Sequence, residues 1–152
     1  MGLFDFVKNA GASLFGIKTD AEKREEKEQA IRNFVAEFDL GIEDFTIEFT
    51  GDDDDTVILG GTVQSQEAKE KLILAVGNIE GIARVDDRME VVVPEPEAQF
   101  YTVVSGDSLS KIAKRHYGDA MKYPEIFEAN KPMLSDPNKI YPGQALRLPH
   151  QG

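Results

Sequence analysis

The chain has 152 residues, 41% of them hydrophobic, no Cys and a formal net charge of −11 at pH 7. That size allows one domain or two small ones, and the apolar fraction supports real cores, which excludes global disorder. The lack of Cys excludes disulfides, thiolate zinc sites and cysteine nucleophiles.

The acid is unevenly placed. Residues 1–100 carry 10 Lys and Arg against 23 Asp and Glu, whereas residues 101–152 carry 7 against 5. Binding to nucleic acid depends on neutralising phosphates, so this balance argues against it. It would also be repelled by an anionic membrane surface. Most of these charges are expected to serve solubility, with a general field that favours cations.

The first stretch, MGLFDFVKNAGASLFG, lacks a basic region followed by an unbroken apolar run, and no window offers 18 apolar residues. No signal peptide and no membrane insertion are therefore expected, with a cytoplasmic location as the default. Leu3, Phe4, Phe6, Val7, Ala10, Leu14 and Phe15 fall at mostly helical spacing, which predicts a short helix over about Leu3–Ala10 within an N-terminal segment, residues 1–16. A stripe this short must dock on something to persist. Residues 17–28 read as a charged linker running into a helix, whose apolar face is Ala30, Ile31, Phe34, Val35 and Phe38 and which Gly41 stops.

Phe45, Ile47 and Phe49 alternate with Thr46, Glu48 and Thr50, the pattern of a strand with one face buried. Gly51–Asp55 is a turn, and Thr56–Val63 returns as the second strand of a hairpin, with Gly60 and Gly61 marking a bulge or a close approach. Ser65 is a good N-cap for a helix that turns Ala68, Leu72, Ile73, Ala75, Val76 and Ile79 inward. Gly77, Asn78 and Gly81 then end it, and Ala83–Val93 is a third strand. Helix, strand, strand, helix, strand over residues 22–93 packs naturally as an α+β sandwich, helices over a sheet.

The helix end at Leu72–Val85 is the stretch that points to chemistry. The last carbonyls of a helix lack intrahelical partners and carry partial negative charge. Glycines, here Gly77 and Gly81, are expected to let the chain turn with φ > 0 and leave such oxygens uncovered. An ordinary helix stop uses the same residues.

Pro94-Glu95-Pro96-Glu97 begins a linker over residues 94–100 and marks a domain boundary. Beyond it, Tyr101–Val104 predicts a strand, Leu109–His116 a helix, Pro124–Asn130 a second helix and Ala145–Leu148 a closing strand, a β-α-α-β unit. Other candidate sites fail on spacing. Asp52–Asp55 would need Gly and Glu where Val57 and Val63 stand to form an EF-hand loop. His116 and His150 cannot make a zinc site alone. Ser105 and Asp107 share one turn, so with His116 they form no hydrolytic triad. No enzyme is expected.

Residues 101–148 resemble a LysM domain through YTV–GDSL, YG after the first helix, the I–ANKP pair and IYPGQ–L–LP. Residues 22–93 resemble a BON domain, best in SQEAKEKLILAVGNIEGIARVDDRM. This order, behind the short GLFDFVKNAG prefix, resembles the bacterial potassium-binding protein family of cytoplasmic two-domain proteins. The resemblance implies a K+ ligand held by main-chain carbonyls of two segments, here Val7, Ala10 and Ala12 with Gly77, Ile79 and Ile82. Carbonyl dipoles can replace the water shell of K+ without burying several carboxylates. The implied behaviour is that of a sensor or buffer: K+ draws the two segments together, docks Leu3, Phe4 and Phe6, and compacts a monomer.

The rival reading takes its ligand from the LysM resemblance, namely N-acetylglucosamine polymers such as a peptidoglycan fragment. Gly106, Asp107, Ser108 and Leu109 with Ile140 and Tyr141 would then form the face. A BON-type phospholipid or envelope role is a further rival, and an unidentified protein partner could read the ion-bound form. The LysM-like unit is expected to act as a lid or clamp on the first domain.

Overall fold

The structure is a computed structural model that describes residues 2–6, 20–51, 55–79, 81–131 and 133–149. Strand β1 spans Gly2–Asp5, helix α1 Asp20–Ala36, β2 Glu43–Thr50, β3 Thr56–Ser65, α2 Gln66–Gly77 and β4 Arg84–Val93. The second part holds β5 at Gln99–Thr102, α3 at Leu109–Tyr117, a single 3-10 turn at Ala120–Lys122, α4 at Tyr123–Ala129 and β6 at Ala145–Leu148. The fold is mixed α+β with two sheets, a four-stranded one in the order β1-β4-β3-β2 and a β5-β6 pair.

The first sheet follows from the hairpin and the crossover. β2 and β3 pair antiparallel, with a register shift between Glu43 and Thr46. Gly60 and Gly61 lie opposite this irregularity: a Cβ on Gly61 would meet the Glu43 carbonyl oxygen at 2.8 Å, and its φ is +129°. Only glycine fits so close a backbone approach. β3 and β4 run parallel, from Thr56 beside Arg84 to Ser65 beside Val93, and α2 is the crossover between them. Ser65 caps α2, accepting the Ala68 N–H at 3.1 Å, as expected of a serine before an acidic first turn. Ile31 and Val35 of α1, Leu72, Ile73 and Val76 of α2, and Val57, Leu59, Val63 and Val85 of the sheet form one core.

Three local expectations need correction. Gly2–Asp5 is a strand, not the start of a helix: Leu3 pairs with Asp86 and Phe4 with Val85 along the edge of β4. The Leu-Phe-Asp-Phe run also alternates, with Leu3 and Asp5 exposed and Phe4 and Phe6 half-buried, and the ladder to β4 selects that period over the helical one. The rest of the expected helix, Val7–Ala10, lies outside the described residues. The charged stretch read as linker is helix from Asp20, and α1 stops at Ala36, before Gly41. Asp39 already takes a left-handed φ of +50°.

The second core gathers Val103, Leu109, Ile112, Ala113, Ile126, Leu134, Leu146 and Leu148 under the β5-β6 pair. Ser108 caps α3 through the Lys111 N–H, and Gly118 ends it with a φ of +77°. Basic Lys114, Arg115 and His116 fill the last turn, where they complement the helix dipole.

α2 serves both units. Leu72, Ile73 and Val76 enter the first core, whereas Glu70, Leu74 and Asn78 lie on the side toward β6. Leu74 is 1% exposed yet belongs to neither core cluster. That explains the unbroken Leu-Ile-Leu-Ala-Val run, since a helix covered on two sides has little polar face to show.

Candidate functional site

The end of α2 is a largely buried turn held by apolar anchors. Ile79 and Ile82 are 1% and 0% exposed, so their side chains pin the turn to the core from inside. The Asn78 N–H donates to the Leu74 carbonyl at 3.0 Å and the Ile79 N–H to Val76 at 3.2 Å. The Ile82 N–H donates to the Ile79 carbonyl at 3.1 Å, and Gly81 turns the chain with a φ of +98°. The Ala83 and Arg84 N–H groups both donate to the Asp55 carbonyl, tying the turn to the hairpin.

Among the described residues, no hydrogen bond is donated to the carbonyls of Gly77 or Ile82. Among the described residues, the Ile79 carbonyl accepts from the Ile82 N–H. Carbonyl oxygens at the negative end of a helix suit an electropositive ligand that prefers oxygen dipoles. Among the described residues no group of three or more His, Cys, Asp or Glu converges as a side-chain metal site.

Gly77 differs from expectation. It does not have a positive φ; its constraint comes from a neighbour. A Cβ on Gly77 would overlap the ring of Phe6. The Phe6 N–H donates to the Ala83 carbonyl at 2.8 Å, so main chain and ring both hold residue 6 against this turn. Phe4 meets Phe100 at 5.3 Å between ring centroids, which links β1 to the start of β5 as well. Val7, Ala10 and Ala12 lie outside the described residues; of the other half of the predicted set, Gly77 is the last residue of α2, and Ile79 and Ile82 are buried in the turn that follows it.

Sequence reasoning passed over Asn78, which stands between two candidate ligands. Its Nδ2–H donates to the Ala145 carbonyl at 2.9 Å and its Oδ1 accepts the Ala145 N–H at 2.8 Å. About two turns back on α2, the buried Glu70 carboxylate accepts from Arg147 Nε at 2.6 Å, from the Ala98 N–H at 2.9 Å and from Gln66 at 3.1 Å. The Ala145, Arg147 and Ala98 partners lie in the linker or beyond it, so no local pattern could reveal them; only Gln66, one turn away on α2, is local.

Several side chains of the expected glycan face make internal contacts. The Asp107 carboxylate accepts from Tyr101 Oη at 2.6 Å, from the Val104 N–H at 2.9 Å and from Arg115 at 2.7 Å. Burial alone would raise its pKa, but these hydrogen bonds outweigh it and hold the carboxyl down to about 2. Burial and the Asp107 hydrogen bond push the Tyr101 hydroxyl up. Leu109 is a core residue and the Ser108 hydroxyl caps α3. Gly106 turns with a φ of +91°, and Ile140 and Tyr141 are half-buried. Of the six, the inward side chains of Asp107 and Leu109 hold the loop rather than present themselves to a ligand.

A BON domain matches residues 25–93 and a LysM domain residues 101–149, in the order the two cores show. The chain is a two-domain BON–LysM protein, a pairing of binding modules rather than an enzyme fold. It is 46% identical over 151 residues to the potassium binding protein Kbp of Escherichia coli O6:H1, covering 99% of this chain and 100% of that protein. The chain belongs to the Kbp family. An uncharacterized protein of Deinococcus radiodurans is 37% identical over 105 residues, covering 41% of its own length. An esterase of Mycobacterium tuberculosis shares 51 residues at 49% identity, only 11% of that protein. No helix among the described residues is long and apolar enough to cross a membrane.

Proposed function

We propose that this protein binds K+ in the cytoplasm as a sensor or buffer. The ligands are main-chain carbonyls of Gly77, Ile79 and Ile82 together with those of Val7, Ala10 and Ala12. The observation that carries this reading is the seating of Phe6 on Gly77: it delivers the chain, one residue before Val7, to the negative end of α2. The full-length relative named a potassium binding protein supports the choice of ion.

K+ favours such a site because it is weakly hydrated beside Na+ or Mg2+, so dipoles suffice to replace its water. Binding stabilises the state in which both segments meet, and in that state Phe4 and Phe6 are docked. The protein therefore compacts when K+ binds. The glycan reading keeps the LysM match, but the side chains of Asp107, Ser108 and Leu109 make internal contacts, which leaves it chiefly the main-chain groups of that loop.

Ion titration by calorimetry tests the proposal. A saturable heat with KCl and a rise in thermal midpoint in KCl over NaCl at equal ionic strength are expected. Equal midpoints and no KCl heat would reject it, and retention on peptidoglycan sacculi instead would favour the rival.

A further inference from the structure

Two asparagines grip the same edge of β6. Asn130, the C-cap of α4, accepts the Arg147 N–H on Oδ1 at 2.7 Å and donates Nδ2–H to the Arg147 carbonyl at 2.9 Å. Asn78, the C-cap of α2, makes the same two bonds with Ala145, two residues away on the strand. Each side-chain amide replaces one residue of a neighbouring strand. Asn130 does so within the LysM domain, and Asn78 does so from the BON domain.

We propose that Asn78 is the positioning residue of the cation site, an inference that rests on the potassium reading above. Its backbone N–H is held by Leu74 inside α2, while its side chain is held by β6 and reaches Met133 Sδ at 3.2 Å. The residue is fixed at both ends, with Gly77 and Ile79 as its chain neighbours. The peptide plane that carries the Gly77 carbonyl includes the Asn78 N–H and is fixed with it, and the next plane fixes where Ile79 leaves the turn. Because the grip uses a side chain, it consumes no main-chain oxygen of the turn. A backbone pairing between the turn and β6 would engage the oxygens the ion needs. The LysM domain thus aims the α2 carbonyls without competing for them.

A plain domain clasp makes a different prediction, and the Glu70–Arg147 pair is the control for it. It joins the same helix to the same strand, two turns from the site. Calorimetric titration of the full chain with KCl and with NaCl is the experiment, on Asn78→Ala, Asn78→Ser and the double variant Glu70→Gln with Arg147→Met. Asn78→Ala is expected to lower K+ affinity by about tenfold or more and to narrow the preference for K+ over Na+, as loosened dipoles discriminate less. Asn78→Ser, which keeps one hydrogen-bonding group and serves if the alanine variant does not fold, falls between. The clasp variant stays within about threefold of the parent. K+ binding unchanged in both Asn78 variants, or a clasp variant as weak as Asn78→Ala, overturns the inference while leaving the potassium reading intact. A parent chain that binds no K+ overturns both.

Discussion

The ring of Phe6 occupies the space that a Cβ on Gly77 would need. Gly77 is thus a seat for the N-terminal strand, and the helix end it closes is shaped by a residue 71 positions earlier. Gly77→Ala should displace the ring and cost about 1–3 kcal/mol, the usual range for overpacking. In a Phe6→Ala background the same change should cost much less, since the clash is gone. Urea unfolding of the parent, both single variants and the double variant measures the coupling, and additive effects would reject the contact.

Gly81 poses a separate requirement. Its φ of +98° is unfavourable for any residue with a Cβ, although no atom crowds it. Gly81→Ala should therefore cost roughly 1 kcal/mol through backbone strain alone. It should also weaken K+ binding by tilting the Ile79 and Ile82 carbonyls. Thermal unfolding without K+ and calorimetry with it separate the two effects.

Glu70 and Arg147 form the buried ionic joint between the domains, with side chains 4% and 13% exposed. Arg147→Met alone strands a buried carboxylate and should cost about 3–5 kcal/mol. Adding Glu70→Gln should recover most of that loss, because the unpaired charge is removed. Unfolding followed by calorimetry should show the single variant separating toward two transitions, one per domain.

Asp107 sets an acid limit on the LysM domain. Its folded-state pKa of about 2 lies below the ordinary carboxylate range. The resulting stabilisation is complete above the unfolded value near pH 4 and is lost as pH falls through about 2. Stability of this domain should therefore decline across that window. Asp107→Asn should lower stability at neutral pH and flatten the decline. Urea midpoints between pH 2 and 7, read by amide NMR at Val104, check both outcomes.

Much of the architecture was legible in the chain. Strand period over Phe45–Thr50, the Ser65 cap, and the turns around Gly106 and Gly118 are local devices, fixed by neighbours within a few positions. The LysM closing strand falls at Ala145–Leu148, as its pattern implies. The N-terminal run was ambiguous because Leu-Phe-Asp-Phe satisfies both periods over so short a length, and only the open edge of β4 selects the strand.

The candidate site divides the same way. Sequence by itself determined that a helix ends at Gly77, that the chain turns before Arg84, and that apolar anchors flank the turn, because helix stops and glycine conformations are local physics. Only the tertiary structure decided why Gly77 must be glycine and what Asn78 does. Their partners, Phe6 and Ala145, lie 71 and 67 positions away in opposite directions along the chain. Contacts of that range leave no periodicity to read, since they arise when β1 docks on β4 and β6 comes to rest against α2.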